Sequence, residues 1–330
     1  MSQPTELTEL EPTHRLVDVP GGRIHLVEQG TGPLVLLLHG FPESWRAWRR
    51  QLPALAAAGY RAVALDLRGY GGSSQPAAVA DCRMLAHVAD DVAVVRALGE
   101  ETAIVVGHDV GASIAANSAL LRPDVFTAVG LLGVPYTPRG GPRPTDAFAQ
   151  IGGDEQFYVS WFQEPGVAEA EIERDVRGWL AGFYAALSAD TMGAAGGAYA
   201  FVPPGRAMRD RFPAGALPAW LSPDELDGSA QEFEETGFAG ALARYRNFDR
   251  DWEDLAAWDG APIRQPSLFI GGALDPSTTW MADAIAAFPA TLPGLVSSHL
   301  LDGCGHWLQQ ERPDEVNRLL LDWLGSLAAR

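Results

Sequence analysis

From Leu34 onward, short apolar runs alternate with longer segments of helical periodicity, and this alternation is the strongest constraint on the fold. Such runs are typical of strands in a mostly parallel sheet that helices cover on both faces. The predicted strands are 34–38, 62–65, 103–106, 129–132, 268–270 and 299–301. Helical patterns lie between them, for example at 84–98, and Pro313 marks the start of an amphipathic C-terminal helix.

The alternation breaks in the middle of the chain. Between about residues 138 and 250, glycine, proline and aromatic residues surround short helical pieces, and no buried strand is evident. We therefore expect a mainly helical cap, or lid, domain at 138–250. The sheet resumes near residue 268, so the core would consist of two parts, 1–137 and 251–330.

One predicted strand runs into the turn Gly107-His108-Asp109-Val110-Gly111, which a helix of small residues follows. This strand-turn-helix arrangement is the nucleophile elbow of the α/β-hydrolase fold, with aspartate where an esterase carries serine. The two glycines allow the tight turn and a close approach of helix and strand. An aspartate at such a junction is more often only a helix cap, but the flanking glycines and the partners below favour a nucleophile.

A carboxylate nucleophile restricts the chemistry. Its attack on an sp3 carbon forms an alkyl ester, whose carbonyl carbon water can then attack. The leaving group must therefore depart from carbon. An epoxide oxygen or a halide meets this condition, and an amide nitrogen does not.

Hydrolysis of the ester needs a base and an oxyanion site. The predicted base is His306, in a glycine-rich loop after the last strand, and Asp275, just beyond the preceding strand, is its predicted orienting acid. The order nucleophile, acid, histidine is the one expected of this fold. The predicted oxyanion donors are the backbone N–H groups of Val110 and Phe41.

Two further histidines, His39 and His108, lie in these loops. No carboxylate or cysteine spacing around them indicates a metal site, so we expect both to make structural hydrogen bonds. Cys82 and Cys304 are far apart in the sequence and are expected to be buried thiols rather than a disulfide.

The composition excludes several classes of function. The net charge is −18 and the sequence contains no lysine, so all 24 basic residues are arginine. An acidic chain without basic clusters is not expected to bind nucleic acid. Without lysine, neither Schiff-base chemistry nor a P-loop phosphate site is possible. We expect no cofactor and no metal, because side chains and water supply every role.

No apolar run reaches the roughly 18 residues that a membrane span requires. The first twelve residues are polar and acidic and lack the apolar core of a signal peptide. A cytoplasmic protein with no membrane partner is therefore expected. A homodimer is left open by the sequence.

With these motifs identified, the chain resembles the epoxide hydrolases of the α/β-hydrolase fold, and most of all the hydrolase domain of animal soluble epoxide hydrolases. The resemblance extends from about Arg23 to the C-terminus. In the core it depends on the segments 39–45 (HGFPESW), 66–71 (DLRGYG) and 303–307 (GCGHW). In the predicted cap it depends on the segments 161–171 (WFQEPGVAEAE) and 244–248 (RYRNF).

The resemblance implies that Tyr158 and Tyr245 hydrogen-bond the epoxide oxygen. Chemistry requires such a donor, because the departing alkoxide must be protonated and a phenol is a suitable acid. Tyr136, just past a strand end, is the best alternative. The resemblance also implies a cis Phe41-Pro42 peptide. The chain departs from the animal enzymes at Val110, where they carry tryptophan, so substrate preference cannot be transferred.

The substrate is expected to be a lipophilic epoxide, and water the second reactant. An apolar pocket is predicted from His39, Pro42, Phe157, Trp161, Phe162 and Trp307. One alternative is a haloalkane or haloacid dehalogenase of the same fold, although Val110 and Phe41 stand where halide-binding side chains would be needed. The other is a catalytically inactive binding protein of this fold.

Overall fold

The computed structural model describes residues 11–193 and 197–328. Ten strands occur in this part of the chain, and eight of them form one sheet in the order β1-β2-β4-β3-β5-β6-β9-β10. The strands are β1 Thr13–Val19, β2 Gly22–Gln29, β3 Leu34–Leu38, β4 Arg61–Leu65, β5 Ala103–His108, β6 Phe126–Leu132, β7 Gln156–Phe157, β8 Phe201–Val202, β9 Ser267–Gly272 and β10 Leu295–Leu301.

Helices connect the strands and cover the sheet. They are α1 Gln51–Ala57, α2 Met84–Ala97, α3 Val110–Leu121, α4 Pro144–Ile151, α5 Tyr158–Trp161, α6 Val167–Ile172, α7 Val176–Leu187, α8 Pro223–Thr236, α9 Ala239–Ala243, α10 Phe248–Asp254, α11 Pro276–Trp280, α12 Ala282–Ala286, α13 Phe288–Thr291, α14 Leu308–Glu311 and α15 Pro313–Ala328. Short 3-10 helices also occur at Val79–Cys82 and Tyr245–Asn247.

The sheet is mostly parallel, as predicted. Strands β4, β3, β5, β6, β9 and β10 all run in one direction. All six predicted strands are present. Alternate residues of the central strands enter two hydrophobic clusters: Leu36 and Val105 pack on one face, and Val35 and Val106 pack on the other with the C-terminal helix. This is the pattern of a sheet that is buried on both sides.

The hairpin β1-β2 was not predicted. Its strands pair antiparallel with each other, and β2 continues antiparallel to β4. The turn between them is Pro20-Gly21, and Gly21 has φ +84°. A proline-glycine turn between two runs of alternating polarity is a hairpin signal, and it precedes the buried apolar runs that begin at residue 34.

The chain leaves the sheet after β6 and returns to it at β9. The segment between β6 and β9, called the insert below, carries helices α4 to α10, together with one two-stranded ribbon formed by β7 and β8. Each ribbon strand has two residues, which is too short for a sequence pattern. No helix in the described part of the chain is long and apolar enough to cross a membrane.

Candidate active site

Asp109 stands at the turn between β5 and α3. It is the one non-glycine residue with positive φ in the described ranges, at φ 53° and ψ −122°. A Cβ atom on Gly107 would lie 2.0 Å from the carbonyl oxygen of Gly111, and one on Gly111 would lie 2.3 Å from that of Leu38. Both glycines are therefore required for this turn, as the elbow motif predicts.

The two carboxylate oxygens of Asp109 have different surroundings. Oδ2 accepts a hydrogen bond from the Phe41 N–H at 2.9 Å, whereas Oδ1 lies 3.9 Å from Nε2 of His306. The Phe41-Pro42 peptide is cis, as expected. Val110 is the first residue of α3, where backbone N–H groups have no partner within the helix, and its role as second oxyanion donor stays a prediction.

His306 is oriented by Asp275. Its Nδ1 lies 3.0 Å from Oδ2 of Asp275, whose other oxygen accepts the Ser277 N–H. Burial lowers the pKa of His306, but the charge and hydrogen bond of Asp275 and the charge of Asp109 outweigh burial and raise that pKa to about 9. The structure thus brings together the three residues that the sequence assigned to nucleophile, acid and base.

The loop that carries His306 is fixed by Glu311, which sequence reasoning missed. The carboxylate of Glu311 accepts the N–H groups of Gly305 at 3.0 Å and Trp307 at 3.1 Å, the two neighbours of His306. It also accepts the N–H of Ala189, which follows α7. The N–H of His306 itself donates to the Leu187 carbonyl oxygen. No local pattern distinguishes Glu311 from an exposed glutamate, because its two near partners are backbone N–H groups and its third, Ala189, is distant in the sequence.

Beneath the elbow, His108 links the same loop to the loop after β3. Its Nε2 donates to the His306 carbonyl oxygen at 2.8 Å, and its Nδ1 lies 2.8 Å from Oε2 of Glu43. Both ring nitrogens therefore lie within hydrogen-bond distance of an oxygen atom. Burial raises the pKa of Glu43, but the charge of His108 outweighs burial and keeps that pKa low. His108 therefore makes structural hydrogen bonds, as expected.

Three other predicted pocket residues are also held by structural contacts. His39 donates from Nδ1 to the Gly40 carbonyl oxygen and accepts the Leu67 N–H at Nε2. The Pro42 carbonyl oxygen accepts the Tyr184 hydroxyl, and Trp307 donates its indole N–H to the Tyr184 carbonyl oxygen. These residues can shape a pocket only by packing, and their contact with substrate stays a prediction.

Tyr158 and Tyr245 lie together, close enough to Asp109 for its charge to act on both phenols. Their ring centroids are 6.4 Å apart, and Phe162 packs against both rings, at 5.5 and 5.1 Å. Neither hydroxyl has a hydrogen-bond partner among the described residues. Burial, followed by the charge of Asp109, raises the pKa of each phenol, so both remain protonated. Tyr136 is unsuited as the alternative donor because its hydroxyl donates to the Ala261 carbonyl oxygen at 2.7 Å.

Phe157 and Trp161 line a cavity of about 500 Å³ in the insert. None of Asp109, His306 and Tyr158 is among the residues that line it. Phe162 is fully buried behind the two phenols and in edge contact with Phe41. The part of these three aromatic residues in substrate binding stays a prediction. No cluster of metal-ligating side chains occurs within residues 11–193 and 197–328.

The sheet, the elbow and the Asp-His pair define an α/β hydrolase with a carboxylate nucleophile. Residues 33–313 match the family model of the alpha/beta hydrolase fold. The chain is 45% identical to epoxide hydrolase A of Mycobacterium tuberculosis, over 97% of this chain and 99% of that protein, and 40% identical to epoxide hydrolase B of that organism, over 96% and 99%. A solved epoxide hydrolase from an endophytic Streptomyces is 72% identical over 97% of both chains, with a TM-score of 0.96. The chain belongs to the epoxide hydrolases of this fold.

Proposed function

We propose that this protein converts a lipophilic epoxide and water to a vicinal diol through an alkyl ester on Asp109. The observation that carries the proposal is the placing of the Asp109 carboxylate between a backbone N–H and a buried histidine, with two unpartnered phenols nearby. An esterase would present a hydroxyl at this position. A carboxylate instead suits attack on carbon.

In the first step, Oδ1 of Asp109 attacks one epoxide carbon, and the bond from that carbon to the ring oxygen breaks. The oxygen takes a proton from Tyr158 or Tyr245. The Phe41 N–H already holds Oδ2, so this oxygen becomes the carbonyl oxygen of the ester. The carboxylate is therefore oriented before substrate binds, which lowers the entropic cost of attack.

After ring opening, protonated His306 gives its Nε2 proton through water to the phenolate, which restores the phenol. In the second step, water gives a proton to the neutral Nε2 of His306 and attacks the ester carbonyl carbon. The negative charge develops on Oδ2, where the Phe41 N–H stabilises it. Collapse of this intermediate passes its hydroxyl proton to the departing alkoxide, which releases the diol and restores the Asp109 carboxylate beside protonated His306. One epoxide and one water are consumed for each diol.

The charges favour this order of steps. In the free protein, the charge of Asp109 helps to keep His306 protonated. Ester formation neutralises Asp109 and so removes a group that raises the pKa of His306. The histidine therefore becomes a better base when the ester that it must hydrolyse has formed.

The alternative functions lack supporting contacts. A dehalogenase needs N–H donors for halide, but position 110 is valine, and the indole N–H groups of Trp307 and Trp220 are engaged by Tyr184 and Ser188. An inactive binding protein would have no reason to keep a complete nucleophile, acid and base. A cytoplasmic location and a homodimer stay predictions from the sequence.

The test is the origin of the diol oxygen. In 18O-water the first turnover should give an unlabelled diol, because water attacks the ester and not the substrate, and later turnovers should carry label. His306→Gln should accumulate an adduct with the mass of one substrate molecule, and Asp109→Ala should form neither adduct nor diol. A labelled first-turnover diol without an adduct would mean that Asp109 acts only as a base for direct attack by water.

A further inference from the structure

A third tyrosine of the insert shares the environment of the catalytic phenols. Tyr199 is 4% exposed, and its hydroxyl has no hydrogen-bond partner in the described ranges 11–193 and 197–328. Other buried tyrosines differ in this respect. The hydroxyls of Tyr70, Tyr136 and Tyr184 each donate to a backbone carbonyl oxygen. Tyr158, Tyr199 and Tyr245 therefore form a distinct group, and two of its members have the role of proton donor.

Tyr199 lies beside Tyr158. Their ring centroids are 6.2 Å apart. Tyr199 also contacts Phe183, with ring centroids 5.7 Å apart. Burial, followed by the charges of Tyr158, Asp275 and Asp109, raises the pKa of Tyr199 well above its usual value. The hydroxyl is therefore a protonated donor within the field of the catalytic carboxylates.

A hydroxyl on a largely buried side chain is stabilised when a ligand or water pairs with it. The neighbouring rings of Tyr199 supply no acceptor other than a phenol oxygen. The contents of the site can supply the acceptor that the described residues do not.

The catalytic phenols are held as a pair, and Tyr199 is outside this arrangement. The side-chain amide of Gln163 donates to the carbonyl oxygens of Val159 and Tyr245, at 2.9 and 3.0 Å. Because Val159 follows Tyr158 in the chain, the Gln163 side chain fixes the backbone beside Tyr158 relative to the backbone at Tyr245. Tyr199 instead belongs to a separate 3-10 helix, Ala198–Ala200. Its hydroxyl is thus placed next to the epoxide-binding pair without being part of it.

We propose that Tyr199 is a specificity-determining residue that donates a hydrogen bond to an oxygen substituent on the carbon next to the epoxide ring. The preferred substrates are then glycidyl ethers and epoxides with an equivalent acceptor oxygen. This inference rests on the proposed function and narrows its substrate class. A site with a donor in this position favours the oxygen-bearing substrate, because its carbon analogue leaves the donor unpaired.

The experiment compares two substrates of equal size, benzyl glycidyl ether and 5-phenyl-1,2-epoxypentane, which differ by one oxygen in place of a methylene. Tyr199→Phe should lower kcat/KM for the ether about fivefold, in line with the loss of one hydrogen bond. The carbon analogue should keep its wild-type kcat/KM to within about twofold. Tyr136→Phe is the matched control, and it should leave the ratio of the two values unchanged.

An equal loss with both substrates would overturn the proposal, because it would place Tyr199 in ring opening or in folding. No loss with either substrate would overturn it as well. Failure of the wild-type protein to form diol from either epoxide is a different result, since it would contradict the proposed function itself.

Discussion

In the proposed mechanism Tyr158 or Tyr245 protonates the epoxide oxygen. Burial, followed by the charge of Asp109, raises the pKa of each phenol and keeps it protonated. Removal of one hydroxyl leaves the other available. Tyr158→Phe and Tyr245→Phe should each slow ring opening about tenfold or more, and the double variant should be nearly inactive, since a positioned acid contributes on the order of 10²- to 10⁴-fold. Stopped-flow measurement of ester formation is the test.

Circular dichroism should show an unchanged fold in the two single variants and in the double variant, because these hydroxyls make no hydrogen bond within the described part of the protein. Wild-type rates of ester formation in the double variant would assign the proton to another donor. In that case Tyr199 would be the next candidate.

The protonation of His306 is expected to differ between the free protein and the ester. Its pKa is about 9 while both Asp275 and Asp109 are charged. Esterification removes the charge of Asp109, so the imidazolium is less stable and its pKa falls. The rate of ester hydrolysis should therefore rise with pH through a midpoint below 9. Single-turnover decay of the ester, measured across pH, gives this midpoint.

Asp275→Asn supplies the matching control, because it removes the charge that raises the pKa of His306 most. The midpoint should move to lower pH, and the maximal rate should fall because the ring loses its orientation. A midpoint that moves upward would contradict this account of the charges.

At the scale of secondary-structure elements, the loop between β10 and α14 is the part on which base catalysis depends. Glu311, the last residue of α14, accepts the N–H groups on both sides of His306. Glu311→Gln would replace one acceptor oxygen with an N–H donor that faces another donor. The rate of ester hydrolysis should fall about tenfold while ester formation changes little, and Glu311→Asp should restore part of the loss.

Glu315→Gln is the control, because Glu315 is exposed on α15 and pairs with Arg318 rather than with the loop of His306. Pre-steady-state kinetics separates the two steps. An equal effect of Glu311→Gln on both steps would mean that it disturbs the whole site and does not position the base.

Strand positions could be predicted because each parallel strand is a continuous buried run, and the triad because its members follow the carboxyl ends of such strands. The hairpin β1-β2 was missed although its signal is local. Glu311 and Tyr199 were missed for another reason. Glu311 acts through backbone N–H groups, which residue types do not reveal, and Tyr199 through its contact with Tyr158, which tertiary folding alone brings near. Charge and residue type do not distinguish such residues from solvated or packing ones.

At the scale of the whole molecule, the insert is joined to the core next to Tyr245. Arg244 lies 2.5 Å from Asp251 in a buried ion pair and donates to the Cys82 carbonyl oxygen, while Asp251 accepts the N–H of Met84 at the start of α2. Removing one partner of a buried pair leaves an uncompensated charge, which costs about 3 kcal/mol or more. Asp251→Ala should lower the free energy of unfolding by that amount, as measured by urea denaturation.

The exposed pair Arg318 and Asp322 provides the comparison. Asp322→Ala should change the free energy of unfolding by less than about 0.5 kcal/mol, as for other surface pairs. A similar small change for Asp251→Ala would mean that solvent or another group compensates Arg244 in the variant.

The free phenols and the nucleophile come from different stretches of chain: Tyr158, Tyr199 and Tyr245 all lie between β6 and β9, whereas Asp109 and His306 follow strands of the sheet. With the roles proposed for these phenols, substrate choice is encoded in one continuous stretch of the gene. A single crossover on each side of that stretch would transfer selectivity between homologous proteins and leave the ester-cleaving machinery intact. Diversification of this lineage can thus proceed by exchange of one segment, and directed evolution can confine its libraries to it.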